Sequence, residues 1–208
     1  MPEPALLDAL SAPAAVGSAP AAESPIPRDA AAPRRLGPAT GETGVSLSQA
    51  PFGTLWQVTA WPGALDRTAG AVGDLCGAFA PGPGAAAGAD GVTALRIEPL
   101  RWLILSEGPL PAPSVASDVG TALDLSHARW RVRVSGARRA ELLARLAPID
   151  WRKNAFPEGA VATTPIHHIA ITVYAEAESF ALLLPRSYAA SLWDDLVETA
   201  SSLGVEIA

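Results

Sequence analysis

Alternation and helical spacing divide residues 46–208 into two similar runs of elements. Residues 54–61 (TLWQVTAW) place Leu55, Gln57, Thr59 and Trp61 on one side and Trp56, Val58 and Ala60 on the other, the period of a strand with two unlike faces. Pro62-Gly63 ends it. Ala69, Val72, Cys76 and Phe79 then recur at helical spacing, with Asp66 placed as an N-cap. Residues 81–91 read as a loop, and residues 92–97 and 102–106 as two strands joined through Glu98 and Arg101. The second run repeats this order. Residues 129–134 form a strand stopped at Ser135-Gly136, and a helix follows over about 137–147. Residues 166–174 and 179–184 form a strand pair. A last helix opens at Ser187, carries Leu192, Trp193, Leu196, Ala200 and Leu203 on one stripe, and stops at Gly204.

The pattern predicts an α+β fold: two strand–helix–strand–strand units forming mixed or antiparallel sheet packed by helices. Gly63 and Gly136 hold equivalent places in the two units. Residues 1–45 differ. Pro recurs through them, no aromatic residue occurs, and too little apolar area is present to offset an ordering cost of roughly 1–2 kcal/mol per residue. They are expected to be a disordered Ala/Pro-rich tail, with Leu6, Leu7 and Leu10 as one candidate docking turn. Residues 46–208 are expected to be a single folded domain.

Charge and composition narrow the function. The formal net charge is -6 and the pI is near 5.0, which argues against a nucleic-acid surface. One cysteine, Cys76, cannot form an internal disulfide or a redox pair, and no apolar run is long enough to span a bilayer. A cytoplasmic protein with no membrane partner is expected. His167 and His168, read as neighbours in a strand, point to opposite faces and make a poor metal pair, so no metal site is expected. Ser126-His127 lacks the distant third member of a triad, and the glycine-rich residues 81–91 lie between a helix and a strand, the wrong order for a phosphate loop. No catalytic or cofactor-binding residue stands out. Arg129, Arg131 and Arg133 alternate with Trp130, Val132 and Val134, so one strand face carries three guanidinium groups. That face, the Asp124 and His127 segment before it, and Trp56, Trp130 and Trp151 are the candidates for a partner interface.

The blocks at 124–129 (DLSHAR), 134–136 (VSG), 149–150 (ID), 156–159 (FPEG) and 185–193 (PRSYAASLW), with 51–53 (PFG) and 61–63 (WPG), resemble the γ subunit of heterotetrameric sarcosine oxidase over residues 46–204. The middle segment is similar, more distantly, to the folate-binding part of glycine-cleavage aminomethyltransferases. The resemblance implies a non-catalytic structural chain in a complex with α, β and δ subunits, packed mainly on α. It implies that FAD, FMN and NAD sit on other subunits of a complex that demethylates sarcosine oxidatively to glycine and passes the one-carbon unit to tetrahydrofolate. The alternative it implies is a stand-alone folate-binding aminomethyltransferase-like protein.

Overall fold

The computed structural model describes residues 23–37 and 43–208. The strands are β1 (Arg34–Leu36), β2 (Val45–Gln49), β3 (Thr54–Ala60), β4 (Ala86–Ala89), β5 (Val92–Glu98), β6 (Arg101–Ser106), β7 (Gly120–Asp124), β8 (Arg129–Ser135), β9 (Val161–Ile166), β10 (Ile169–Ala175), β11 (Ser179–Pro185) and β12 (Val205–Ile207). The helices are α1 (Leu65–Cys76), α2 (Arg139–Leu146) and α3 (Ala189–Ser201). A seven-stranded sheet runs β1-β12-β2-β8-β11-β10-β9, and a five-stranded sheet runs β4-β5-β6-β3-β7. The β2–β12 pair is parallel and every other pair is antiparallel, so the larger sheet is mixed.

Alternation along the strands builds four layers. Val132, Val134, Phe180, Leu182 and Leu184 turn to Leu142, Leu143, Leu192, Trp193 and Leu196 of α2 and α3. Leu55, Leu95, Leu103 and Leu105 of the small sheet meet Tyr174, Ala181 and Leu183 of the large one. Val58, Ala94, Trp102 and Ile104, on the small sheet's other face, meet Val72 and Cys76 of α1. The two sheets therefore stack face to face, with helices outside both.

The expected repeat is present, one unit per sheet, and it contains an exchange. β3-α1-β4-β5-β6 and β8-α2-β9-β10-β11 give matching sheet orders, 4-5-6-3 and 9-10-11-8. β2, which leads into β3, pairs with β8 instead. β7, which leads into β8, pairs with β3. Each unit thus completes the other's sheet. The matched turns share backbone geometry, with Gly63 at φ 85° and Gly136 at φ 98°, a region L side chains rarely adopt. Gly136 has a second constraint, since a Cβ there would lie 2.5 Å from the Gly44 carbonyl oxygen.

Several expectations are corrected. The tail boundary at 45 is too late: residues 23–37 lie on the domain. Ile26 is 2% exposed, Trp193 Nε1 donates to the Ala30 carbonyl at 3.1 Å, and β1 pairs β12. Leu6, Leu7 and Leu10 lie outside the described residues. Residues 166–174 are not one strand. Ile166 pairs with Ile169, so His167-His168 is the two-residue tip of a β9–β10 hairpin, and His167 takes φ 53°. The 81–91 loop contains β4, turned into β5 by Asp90-Gly91 with φ 52° and 79°. Asp66 lies in the first turn of α1 rather than at its cap, which is Ala64, and Phe79 lies beyond the stop at Gly77 and is 97% exposed. Ser187 lies in the short 3-10 turn before α3, whose N-cap is Tyr188. No helix among the described residues is long and apolar enough to cross a membrane.

Leu196 is fully buried beneath the large sheet. Leu196→Ala is expected to cost about 2–5 kcal/mol in urea denaturation. Ile26→Ala, in a segment with no long-range sequence signal, is expected to fall in the same range. A loss under half of about 1 kcal/mol at Ile26 would show that the segment adds little to the domain.

Candidate functional site

The three arginines of β8 do not form a solvated sheet face: Arg131 is buried, and Arg129 and Arg133 are half-buried. Their side of the strand lies in the space between the sheets, and Arg131 is only 3% exposed. Its Nε donates to the Ala50 carbonyl at 2.7 Å. Nη1 donates to Glu107 Oε1 at 2.8 Å and to the Tyr174 hydroxyl at 3.3 Å. Nη2 donates to Glu107 Oε2 at 3.0 Å and to the Pro51 carbonyl at 3.1 Å. All five guanidinium donors are used. Burying an unpaired cation costs several kcal/mol. Here a bidentate carboxylate and three neutral acceptors answer that cost, at about 1.5–3 kcal/mol for each bond to a charged group. Burial opposes the charge on Arg131, but the bonds to Glu107 and Tyr174 outweigh it and raise the pKa. Burial also pushes the Tyr174 phenol up, so it stays neutral.

Arg133 forms the next pair. Its Nε and Nη2 hold Glu176 at 2.6 and 2.9 Å, and Ser179 Oγ also donates to that carboxylate. Burial would raise the Glu176 pKa, yet the bonds from Arg133 and Ser179 carry it below the usual carboxylate range. An open cleft of about 430 Å³ lies over these groups, lined by Thr93, Glu107, Arg131, Glu158, Tyr174 and Glu176. Glu176 is held ionised and serves as an acceptor, not as a general acid. The arrangement can hold donors and position chain. Among the described residues no three His, Cys, Asp or Glu side chains gather closely enough to hold a metal ion.

The expectation of an arginine face meeting a partner is corrected at two of its three residues: Arg131 is inside the sandwich and Arg133 is tied to Glu176. Trp130 and Trp151 are likewise core residues, 5% and 4% exposed. Trp130 Nε1 donates to Gln49 Oε1 at 3.0 Å, and Trp151 meets Phe156 and Phe180 edge-on at 5.3 Å each. Trp56 is half-buried, packs on the α1 side and donates to the Leu110 carbonyl at 3.1 Å.

Asp124 and His127 are exposed. Asp124 Oδ1 accepts from both the backbone N–H and the hydroxyl of Ser126, at 2.8 and 2.6 Å. Ser126 Oγ accepts in turn from the Leu55 N–H at 3.0 Å. The DLSH block is thus the turn that carries the chain from the small sheet into β8, and its serine is engaged in the backbone. Arg129, at the other mouth of the inter-sheet space, is half-buried. Sequence reasoning missed Glu107, just past β6, and Tyr174 and Glu176, at and just past the end of β10. The signal available was three inward-alternating arginines, each of which needs an acceptor if covered.

No protein-family model matches the sequence, and no curated protein does. Solved structures do match. The chain superposes on a chain of the heterotetrameric sarcosine oxidase from Corynebacterium sp. U-96, solved in complex with pyrrole 2-carboxylate, with a TM-score of 0.68 and 23% identity. The match covers 78% of this chain and 88% of that one. It also superposes on the glycine cleavage system aminomethyltransferase T from Bartonella henselae, with a TM-score of 0.57 and 12% identity, over 86% of this chain. There it spans 56% of the other protein, little more than half its length. At these identities the likeness is one of fold, and the expected aminomethyltransferase-like α+β architecture is the architecture found.

Arg131→Ala removes five bonds from a buried position and is expected to cost about 2–4 kcal/mol in urea denaturation, against about 1 kcal/mol or less for Arg133→Ala in a more exposed pair. Equal losses would deny Arg131 its bridging role. The depressed Glu176 pKa stabilises the fold above the ordinary glutamate value, and that contribution fades as pH falls through the lowered one. The stability gap between wild type and Glu176→Gln should close on acidification. A gap that holds constant with pH would show that Glu176 contributes no titratable stability.

Proposed function

We propose that this chain is a non-catalytic structural subunit of a multi-subunit flavoprotein oxidase of the sarcosine oxidase kind, in the place of its γ chain. It supports oxidative demethylation of sarcosine to glycine with transfer of the one-carbon unit to tetrahydrofolate. The observation that carries this reading is one of extent. The fold matches a heterotetramer's chain over 88% of that chain's length, whereas it matches 56% of the glycine cleavage system aminomethyltransferase T. The sequence blocks at 124–129 and 185–193 support the same reading. So does the inter-sheet cluster, whose charged groups are spent on holding the sandwich together. In this reading the chain packs mainly on the α subunit, with β and δ completing the complex, and FAD, FMN and NAD are held by those other chains.

A second reading, a folate-binding aminomethyltransferase-like protein, draws on the match that covers 86% of this chain. Tetrahydrofolate titration of the purified chain separates the two: saturable micromolar binding would favour the second reading. Under the first, the chain purified alone is colourless and releases no peroxide from sarcosine, and co-expression with α, β and δ chains gives a stoichiometric complex. Flavin co-purifying with the isolated chain would overturn the structural-subunit reading.

A further inference from the structure

Arg129 is the one member of the β8 triplet that the fold leaves unpaired. Arg131 and Arg133 each grip a carboxylate, but no acceptor among the described residues takes a hydrogen bond from Arg129. It is half-buried, and burial without compensation lowers its pKa. It stands in an open groove of about 510 Å³, lined also by Gln57, Leu125, His168, Pro185 and Tyr188.

The surroundings are apolar beyond what a solvated arginine needs. Leu123 is 53% exposed and sits directly across the β3–β7 ladder from Gln57, so it shares that face and extends the groove to the sheet edge. Tyr188, on the groove wall, is 48% exposed. Of the four large exposed hydrophobic residues among the described residues, Tyr188 thus lines the groove of one unpaired guanidinium and Leu123 lies across the ladder from Gln57 on its wall. A lone small acid would pair the cation and leave both hydrophobic side chains wet. Nucleic acid would meet a single cation on a chain of net charge -6. A polypeptide with a carboxylate beside an apolar side chain satisfies both features together, because Arg129 presents a planar fork for bidentate pairing.

We propose that the Arg129 groove is a docking site for an acidic segment of a partner polypeptide, which sets a Glu or Asp carboxylate on Arg129 and an apolar side chain on Leu123 and Tyr188. The partner's identity as a subunit of the oxidase rests on the proposed function above; the chemistry of the groove does not. The Arg129 side chain makes no hydrogen bond or ion pair among the described residues, so Arg129→Glu should keep its thermal midpoint.

The full-length chain, its Arg129→Glu, Arg129→Lys and Leu123→Ser variants are each co-expressed with the α, β and δ chains of a heterotetrameric sarcosine oxidase, and affinity is measured at two salt concentrations. Arg129→Glu and Leu123→Ser should each weaken assembly by about tenfold or more, with Arg129→Lys between them and the wild type. A wild-type complex that Arg129→Glu leaves intact would overturn the groove and spare the subunit reading. No wild-type complex at all would overturn the subunit reading, and the groove is then decided by NMR titration with the peptide acetyl-Leu-Glu-Leu-Glu-Leu-amide. Shifts at Leu123, Arg129 and Tyr188 that vanish with the glutamine analogue support the proposal, and their absence overturns it. Arg129-dependent dimerisation of the chain alone would assign the groove to a second copy and overturn the partner proposal.

Discussion

A single buried guanidinium fixes how the two sheets sit on each other. Arg131 reaches from the large sheet to the end of β6 in the small one through Glu107, and to the crossing from β2 to β3 through the Ala50 and Pro51 carbonyls. Apolar contacts such as Leu55 on Leu183 favour stacking but are not directional. A planar fork with five donors accepts one orientation only. The inter-sheet layer thus combines a large non-directional attraction with one geometrically exact clamp, and the clamp sets the register in which the apolar faces meet.

The same layer explains why the recognisable sequence blocks are not chemical ones. The DLSH turn spends its carboxylate and hydroxyl on its own backbone and on Leu55. The 185–193 block carries the chain from β11 through the short turn into α3, and the Arg186 N–H closes onto the Ala128 carbonyl. Both blocks meet where the chain enters and leaves β8 and β11, beside the Arg129 groove. Residues that define a fold at its crossings also shape the surface around those crossings, and this is how a chain with its charged core already satisfied can still present a specific face.

The period-2 and period-3.6 signals were legible wherever an element was long and amphipathic: β3, β5, β6, β8, β11, α1 and α3 lie close to their expected positions. Short strands were not. β1, β7 and β12 span three to five residues and depend on partners far away in sequence. The Asp90-Gly91 hairpin carried a readable turn signal that the surrounding glycines obscured. The His167-His168 hairpin carried none, since histidine in a left-handed conformation is held there by the ladder on both sides. Alternation placed the three arginines on one face correctly. It could not say that a second sheet covers that face, because burial is decided by the other half of the chain. Ile26 was illegible for the same reason: a lone apolar residue among prolines has meaning only once Trp193 and β12 are in place.

The exchange of β2 and β7 makes the two halves topologically interdependent. Taken alone, the half from β7 onward lacks β1 and β2 of its sheet, and the half up to β6 lacks β7 of its own. A single cut in the connection between β6 and β7 would therefore release no half-domain, because the fragment ending at β6 still supplies β2 to the other fragment, which still supplies β7 in return. The nicked chain would behave as a two-piece complementation pair, held by strand ladders in both directions. In the intact chain the same reciprocity removes the folded half as a stopping point on the way to or from the native state, so the domain should melt as one unit despite its internal repeat.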